Sequence, residues 1–190
     1  MDISILPWVA ALIHLTAFGL YTKVTVRKTA KPVATSWGMW AFAATLNAIT
    51  FRAMTDTLSA LQFIAGSVGC IVVFIALVFL GELRRLSGKE WAVITVGILA
   101  FVMWRLTTAA VANGILVASV IYSFWPTVAS VRKDPASDWW VPWALWSLST
   151  SLTLSYKLLT AGITFALVMP LALVLGHGIT CFYLLKGRGR

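Results

Sequence analysis

The stretch Trp125–Thr153, WPTVASVRKDPASDWWVPWALWSLSTSLT, decides how this chain folds. It has the pattern of the end of one membrane helix, a short basic turn and the start of the next helix. A weaker copy lies at Tyr21–Asn47, YTKVTVRKTAKPVATSWGMWAFAATLN. The motif Trp37-x-x-Trp40 returns 106 residues later as Trp143-x-x-Trp146, and the tripeptide VRK returns after 105 residues. Two copies of one unit, half a chain apart, predict an internally duplicated membrane protein.

The composition also indicates a membrane protein. Of the 190 residues, 60% are hydrophobic and 11% are charged, which leaves too little charge to cover the surface of a soluble domain. The net charge of +9 does not predict a nucleic-acid partner, because the basic residues gather at one set of helix ends. Asp2 precedes the first apolar run and Lys23 follows it, so we expect a retained helix rather than a secretory signal. Cys70 and Cys181 lie in apolar runs and are interpreted as packing residues.

Charged residues divide the chain into apolar blocks that predict seven membrane-spanning helices, each of which needs about 20 apolar residues. The blocks cover residues 3–22, 32–51, 57–81, 91–131, 139–156 and 158–185. The 41-residue block at 91–131 is long enough for two spans. Asn113-Gly114 is the favoured turn between these two spans, and Arg105–Thr108 is the alternative.

The basic residues distribute unequally between the two sides that seven alternating spans define. One side holds three, Arg52, Arg105 and Lys157. The other side holds twelve: Lys23, Arg27, Lys28, Lys31, Arg84, Arg85, Lys89, Arg132, Lys133, Lys186, Arg188 and Arg190. Positive residues accumulate on the cytoplasmic side, so we expect the N-terminus outside and the C-terminus in the cytoplasm. The minimal loops favour a bacterial inner membrane.

The predicted fold is therefore an all-α, polytopic membrane protein with seven transmembrane helices. Two repeats have the same orientation only if a single helix lies between them. This gives a three-helix bundle at 1–83, a linker helix at 84–112 and a second, parallel-oriented bundle at 113–190, a 3+1+3 arrangement.

The second stretch resembles the PQ-loop pattern, in which Pro-Gln ends a helix and a basic turn with Ser leads to a Trp-bearing helix. Pro126, the basic pair at 132–133, Pro135-Ala-Ser137 and Trp143-x-x-Trp146 are similar to that pattern. The 3+1+3 arrangement is also that of the PQ-loop and SWEET superfamily. The resemblance implies a transporter of sugars or other small polar solutes, a uniporter or facilitator. Such a protein works by alternating access around a central site between the two bundles.

The chain departs from that pattern at several positions. Thr127 stands where the family has Gln, and Tyr21-Thr22 replaces Pro-Gln in the first copy. The third span of each bundle lacks the Asn that sugar-transporting SWEETs carry. Two alternatives therefore stay open: a nicotinamide riboside-type vitamin precursor transporter of similar layout, and a non-transporting membrane receptor or assembly protein with the same fold.

Five residues are predicted to form the substrate site. Trp40 and Asn47 share one helix face, and the corresponding face in the second copy carries Trp146, Thr150 and Thr153. If both faces point between the bundles, they form a pocket with aromatic walls and few polar groups, which suits a small polar ligand. The alternative is that these residues only pack between helices.

Prolines and buried polar residues give further candidates. Pro126 and Pro142 are predicted to interrupt helical hydrogen bonds and act as hinges. His14, His177 and Gln62 are candidates for a proton or polar relay, or for hydrogen bonding between helices.

Enzymatic motifs are absent from the sequence. There is no metal-ligand spacing, no paired nucleophile and base, and no phosphate-binding glycine loop, so we expect no enzyme activity, no metal and no cofactor. The expected partners are a small-molecule substrate and the lipid bilayer, and a homo-oligomer stays open.

Overall fold

The computed structural model describes residues 2–29, 32, 34–82, 85 and 88–188. This part of the chain is helical and contains no strand. Its seven α-helices are α1 (Ile5–Val26), α2 (Ala34–Met54), α3 (Thr57–Phe79), α4 (Gly88–Leu106), α5 (Ala109–Lys133), α6 (Trp140–Ala161) and α7 (Val168–Arg188). Short 3-10 helices at Pro135–Ser137 and Phe165–Leu167 precede α6 and α7. The predicted all-α class and the number of long helices are confirmed for these residues.

The helices before and after α4 pack in the same order. In the first half, α1–α3, helix α3 packs against both α1 and α2. In the second half, α5–α7, helix α7 packs against both α5 and α6. The halves meet where α1 packs along α6 and, less extensively, where α2 packs along α5, while α4 contacts α2 and α5. The looser α2–α5 contact leaves room for a cavity between the halves.

Each half also contains the same contact between an aromatic ring and a glycine. A Cβ on Gly69 of α3 would lie 2.1 Å from the ring of Phe18 of α1. A Cβ on Gly176 of α7 would lie 2.5 Å from the ring of Phe124 of α5. Phe18 and Phe124 are 106 residues apart, which is the offset of the repeated tryptophans. Only glycine lets the rings come this close to the central helix of each half.

Apolar side chains make up much of the exposed surface of the helices, and several polar side chains are buried. Large apolar side chains are exposed on all seven helices, with Phe79 at 87% and Trp125 at 73% exposure, whereas His14, Asn47 and Gln62 are buried. Within the described residues, four helical segments are long and apolar enough to cross a membrane: Ile5–Val26, Thr57–Phe79, Ala109–Lys133 and Phe165–Gly187. An apolar exterior around buried polar groups is compatible with a protein surrounded by lipid.

The turn between the fourth and fifth helices differs from the favoured prediction. The hydroxyl of Thr108 accepts a hydrogen bond from the backbone N–H of Val111 and so caps the start of α5. The alternative turn at Arg105–Thr108 is confirmed, and the turn at Asn113-Gly114 is wrong. Asn113 lies within α5 because its amide has partners on α2, which outweigh the local turn preference of Asn-Gly. The predicted boundary at 112/113 therefore moves to the start of α5.

Helix α6 continues past the charged residue that was predicted to end it. Lys157 lies within α6, where its side chain is 6% exposed and its Nζ is 3.8 Å from Oδ2 of Asp56. The ion pair lets the helix carry a lysine inward, and Gly162, with a φ of 67°, ends it instead. The predicted boundary at 83/84 and the basic residues Lys31, Arg84 and Arg190 lie outside the described residues.

Candidate ligand-binding cavity

A cavity lies between the two halves. Its described lining residues come from every α-helix except α4, and its empty volume, including the space at its mouth, is about 790 Å³. Sites for small molecules commonly have mostly apolar walls with a few polar groups. Helix α2 contributes the largest group: Trp37, Trp40, Ala43, Ala44 and Asn47. The cavity therefore has the lining and the location of a site that both halves share.

Aromatic rings from both halves form the walls of this cavity. Phe18 and Trp146 have ring centroids 4.9 Å apart, and Trp40 and Phe124 have centroids 6.0 Å apart. Each of these pairs joins the first half to the second. The separations are those of favourable aromatic pairs, so the walls also hold the two halves together.

One end of the cavity, called here the Asp138 end, is closed where α1 ends and α6 begins. The Tyr21 ring packs against Trp37 and Trp146, with centroids 5.1 and 5.5 Å away. The Asp138 carboxylate accepts a 3.0 Å hydrogen bond from Nε1 of Trp143. Burial raises the pKa of Asp138, and the hydrogen bonds that it accepts offset this only in part.

The opposite end, called the Asp56 end, carries polar links between the halves. The side-chain amide of Asn113 on α5 donates to Oδ1 of Asn47 at 2.8 Å and to Oγ1 of Thr50 at 3.2 Å. Nearby, Lys157 on α6 pairs with Asp56 at the start of α3. Burial tends to raise the pKa of Asp56, but hydrogen bonds from Ser59 and the Lys157 charge outweigh it, so this pKa lies below its usual value.

His14 belongs to a continuous chain of hydrogen bonds. The Ser149 hydroxyl donates its single proton to the backbone carbonyl of Ala10, at 2.8 Å. It must then accept from Nδ1 of His14, 3.0 Å away, which assigns the proton of the neutral ring to Nδ1. Nε2 of His14 is left to accept from Nε2 of Gln62, at 3.3 Å. This series of hydrogen bonds ends at the Ala10 carbonyl, which cannot take up a proton. The series therefore orients His14 and does not conduct a proton.

His177 has a different environment. Its ring lies among Phe124, Trp143 and Trp146, with centroids 5.2, 5.9 and 5.8 Å away. Nδ1 of His177 is buried and has no hydrogen-bond partner among the described residues. The aromatic rings fix the position of His177 without satisfying its nitrogen.

Three buried polar atoms of cavity residues have no partner in the described part of the chain. They are Oε1 of Gln62, Nε1 of Trp146 and Nδ1 of His177. An unsatisfied buried polar group costs about 1–3 kcal/mol, so such groups are uncommon in the absence of a ligand or water. Together they offer an acceptor, a donor and a nitrogen that can do either.

The structure brings six of the predicted site residues to this cavity and leaves two away from it. Trp40, Asn47, Trp146, His14, His177 and Gln62 line the cavity. Thr150 and Thr153 are not among its described lining residues; they are buried and donate to carbonyls of their own helix. Helix α6 packs along α1, and it presents to the cavity only Trp146 of the predicted face.

The two predicted hinges have different positions in their helices. Pro142 lies in the first turn of α6, where a backbone N–H has no helical partner, so the prediction that it interrupts the helix is wrong. Pro126 lies inside α5, away from both of its ends. A hinge role at Pro126 stays a prediction.

Several functional residues were missed in the sequence. Phe18 follows His14 at the i+4 spacing of one helix face, and this spacing was available as a signal. Applying the 106-residue offset to Phe18 would have found Phe124. No local pattern identifies Ser149 as the partner of His14, because the two are 135 residues apart.

Comparison with protein-family models, with curated proteins and with solved structures gave no match. The geometry of the cavity therefore carries the functional argument.

Proposed function

We propose that this chain is a multi-pass membrane transporter for a small polar solute, built from two three-helix bundles and a linker helix. The observation that carries this proposal is the cavity between the halves, with three buried polar atoms that have no partner among the described residues. The identical packing order of α1–α3 and α5–α7 supports the 3+1+3 arrangement and a relationship to the PQ-loop and SWEET superfamily.

In the proposed orientation, the N-terminus lies outside and the C-terminus in the cytoplasm of a bacterial inner membrane. Lys23, Arg132 and Lys133 all lie near the Asp138 end of the bundle, at the ends of α1 and α5. The positive-inside bias makes this the cytoplasmic end. The Asp56 end then faces outward.

Alternating access would open the two ends in turn. The Asn47–Asn113 bond and the Asp56–Lys157 pair link the halves at the Asp56 end. The packing of the Tyr21 ring against Trp146 links them at the other end. Rocking of one half against the other breaks one set of links while the other set persists, which exposes the cavity to one side at a time.

The proposal is tested by uptake into liposomes that contain the purified chain. Labelled sugars, amino acids, nucleosides and nucleobases form the panel, and protein-free liposomes give the background. We expect one class to enter above background. Trp146→Phe keeps a ring but removes the free N–H, and should slow this uptake about tenfold. Trp125→Phe is the matched control because Trp125 is 73% exposed and does not line the cavity.

Background-level entry for the whole panel would contradict transport. Normal uptake by Trp146→Phe would contradict the cavity as the site of transport. The second candidate function, a membrane receptor or assembly protein, is favoured by the direct links at both ends, which hold the halves together. It predicts a detergent-stable complex with another protein and no flux.

A further inference from the structure

We propose that the occupant of the cavity is an uncharged, planar heteroaromatic molecule with both a hydrogen-bond donor and an acceptor on its edge. This inference names the substrate class of the site in the proposed transporter and rests on that proposal for its biological role. The binding itself is a separate property and is measured separately.

The absence of formal charge in the lining is the first support. None of the described residues that line the cavity is Asp, Glu, Lys or Arg, and the nearest ion pair, Asp56 with Lys157, is already internally matched. A charged ligand that enters this cavity loses water without gaining a counter-ion, which is strongly unfavourable in an apolar environment. A neutral ligand avoids this cost.

The shape and chemistry of the walls are the second support. Phe18 and Trp40 of the first half and Phe124 and Trp146 of the second half line the cavity, and their rings contact each other between the halves. Aromatic rings bind planar π-systems by offset or edge-to-face contacts over a large area. A flat ring is therefore favoured over a bulky, non-planar solute.

The small number of free polar atoms is the third support. Trp146 offers a donor, Gln62 an acceptor and His177 a nitrogen that adapts to the ligand. A monosaccharide has five hydroxyl groups that need partners, whereas the edge of a nucleobase-like ring needs only two to four. The oxygen of Asn47 already accepts from Asn113, so this side chain offers the cavity only its amide N–H donors. These polar atoms, most of them donors, match the edge of a heteroaromatic ring that carries acceptors.

An organic cation is the main competitor, because aromatic cages also bind cations through their ring faces. Nε1 of Trp146 is a donor with no acceptor among the described residues, and Gln62 donates its amide to His14. An alkylammonium ion can donate to Nδ1 of His177 but has no acceptor to offer Trp146. The free donor of Trp146 therefore favours a ligand that carries an acceptor, and the uncharged lining favours a neutral one.

The test is isothermal titration of the purified full chain in detergent. The probes are adenine, adenosine and lumiflavin as uncharged heteroaromatics of increasing size, glucose as a polyol and 1-methylnicotinamide as a cation. We expect at least one heteroaromatic to bind more tightly than both glucose and 1-methylnicotinamide. Trp146→Phe and His177→Phe should each weaken that binding about tenfold. Trp125→Phe should leave it unchanged.

The titration and the flux measurement test the inference and the proposed function separately. Tighter binding of glucose or of 1-methylnicotinamide overturns the inference, and so does a lack of heteroaromatic binding at millimolar concentration. Equal binding by Trp146→Phe, His177→Phe and wild type also overturns it, because the cavity would not be the site. Protein-dependent flux of glucose keeps the proposed transport function while this inference fails. Heteroaromatic binding without any flux keeps this inference while transport fails.

Discussion

His14 in the first half and His177 in the second half line the same cavity but differ in their partners. Their burial is almost equal, at 5% and 6% exposure. His14 is bonded to Ser149 and Gln62, whereas Nδ1 of His177 has no partner among the described residues. Equal burial therefore hides a difference between the two histidines, which appears only in the partners of their ring nitrogens.

The difference assigns separate tasks to the two halves. The His14 chain crosses from α1 to both α3 and α6, so it fixes the more extensive contact between the halves. The aromatic rings around His177 leave its Nδ1 without a hydrogen-bond partner among the described residues, which lowers the stability of the fold. Groups that violate the usual rule of satisfied hydrogen bonds concentrate at functional sites.

The largest expected effect concerns the phenylalanine beside each histidine. Phe18 lies 5.3 Å from His14 and Phe124 lies 5.2 Å from His177, measured between ring centroids. Gly69→Ala should lower the free energy of unfolding by about 3 kcal/mol, because overpacking forces Phe18 away from α3. Gly176→Ala should cost less, since its Cβ meets Phe124 at 2.5 Å rather than at the 2.1 Å found for Gly69 and Phe18. Thermal unfolding followed by tryptophan fluorescence measures both.

Gly19→Ala is the matched control for these two changes. Gly19 lies in α1 with no atom within 4 Å of an added Cβ, so alanine should be neutral or stabilising there. If Gly69→Ala unfolds at the same temperature as Gly19→Ala, the close Phe18–Gly69 contact is wrong.

An intermediate effect distinguishes the histidines directly. His14→Phe keeps the ring but leaves Ser149 and Gln62 without this partner, so it should cost about 1–3 kcal/mol of unfolding free energy. His177→Phe removes no hydrogen bond within the described chain and removes a buried nitrogen without a partner, so it should leave stability unchanged or raise it by up to about 3 kcal/mol. The comparison is read from the two unfolding temperatures in one detergent. Equal losses would remove the distinction between the two sites.

The smallest expected effect is a pH dependence at Asp138, whose carboxylate holds Trp143 next to His177. Burial raises the pKa of Asp138 in the folded protein above its usual value of 3.8. The folded state therefore binds this proton more tightly than the unfolded state, and the free energy of unfolding falls as pH rises through the raised pKa.

This pH dependence is isolated by comparing wild type with Asp138→Asn. As the pH falls from 7 through the raised pKa toward 3.8, wild type should gain stability relative to the variant. His14, His177 and the other titrating groups are common to both proteins and cancel in the difference. A difference that does not change with pH would contradict the raised pKa.

Much of the fold follows from the apolar blocks, because about 20 uncharged residues suffice to define each membrane-length helix. The apolar blocks predicted helix boundaries less well where a polar side chain has a partner that is distant in the sequence. Asn113 and Lys157 both look like helix breaks locally, yet Asn47 and Asp56 satisfy them inside the bundle. These partners are 66 and 101 residues away along the chain, beyond the reach of a local pattern.

Only part of the candidate site could be predicted from the sequence, because the rest depends on how distant helices pack. Trp40 and Asn47 follow from helical spacing on α2, and the repeat then points to Trp146. The extension of that face to Thr150 and Thr153 assumed equal orientation of α2 and α6. The closer packing of α6 on α1 changes which residues reach the cavity.

The repeated contact of a phenylalanine with a glycine has an evolutionary consequence. The residue after the contacted glycine is Cys70 in the first half and His177 in the second, and His14 corresponds to Val120 by the 106-residue offset. In a symmetric dimer of one half, each of these positions would carry the same side chain twice. A single polypeptide that holds both halves can change one copy alone. It can therefore place at one cavity an imidazole that is hydrogen-bonded and another whose Nδ1 has no partner among the described residues, which two identical halves could not do.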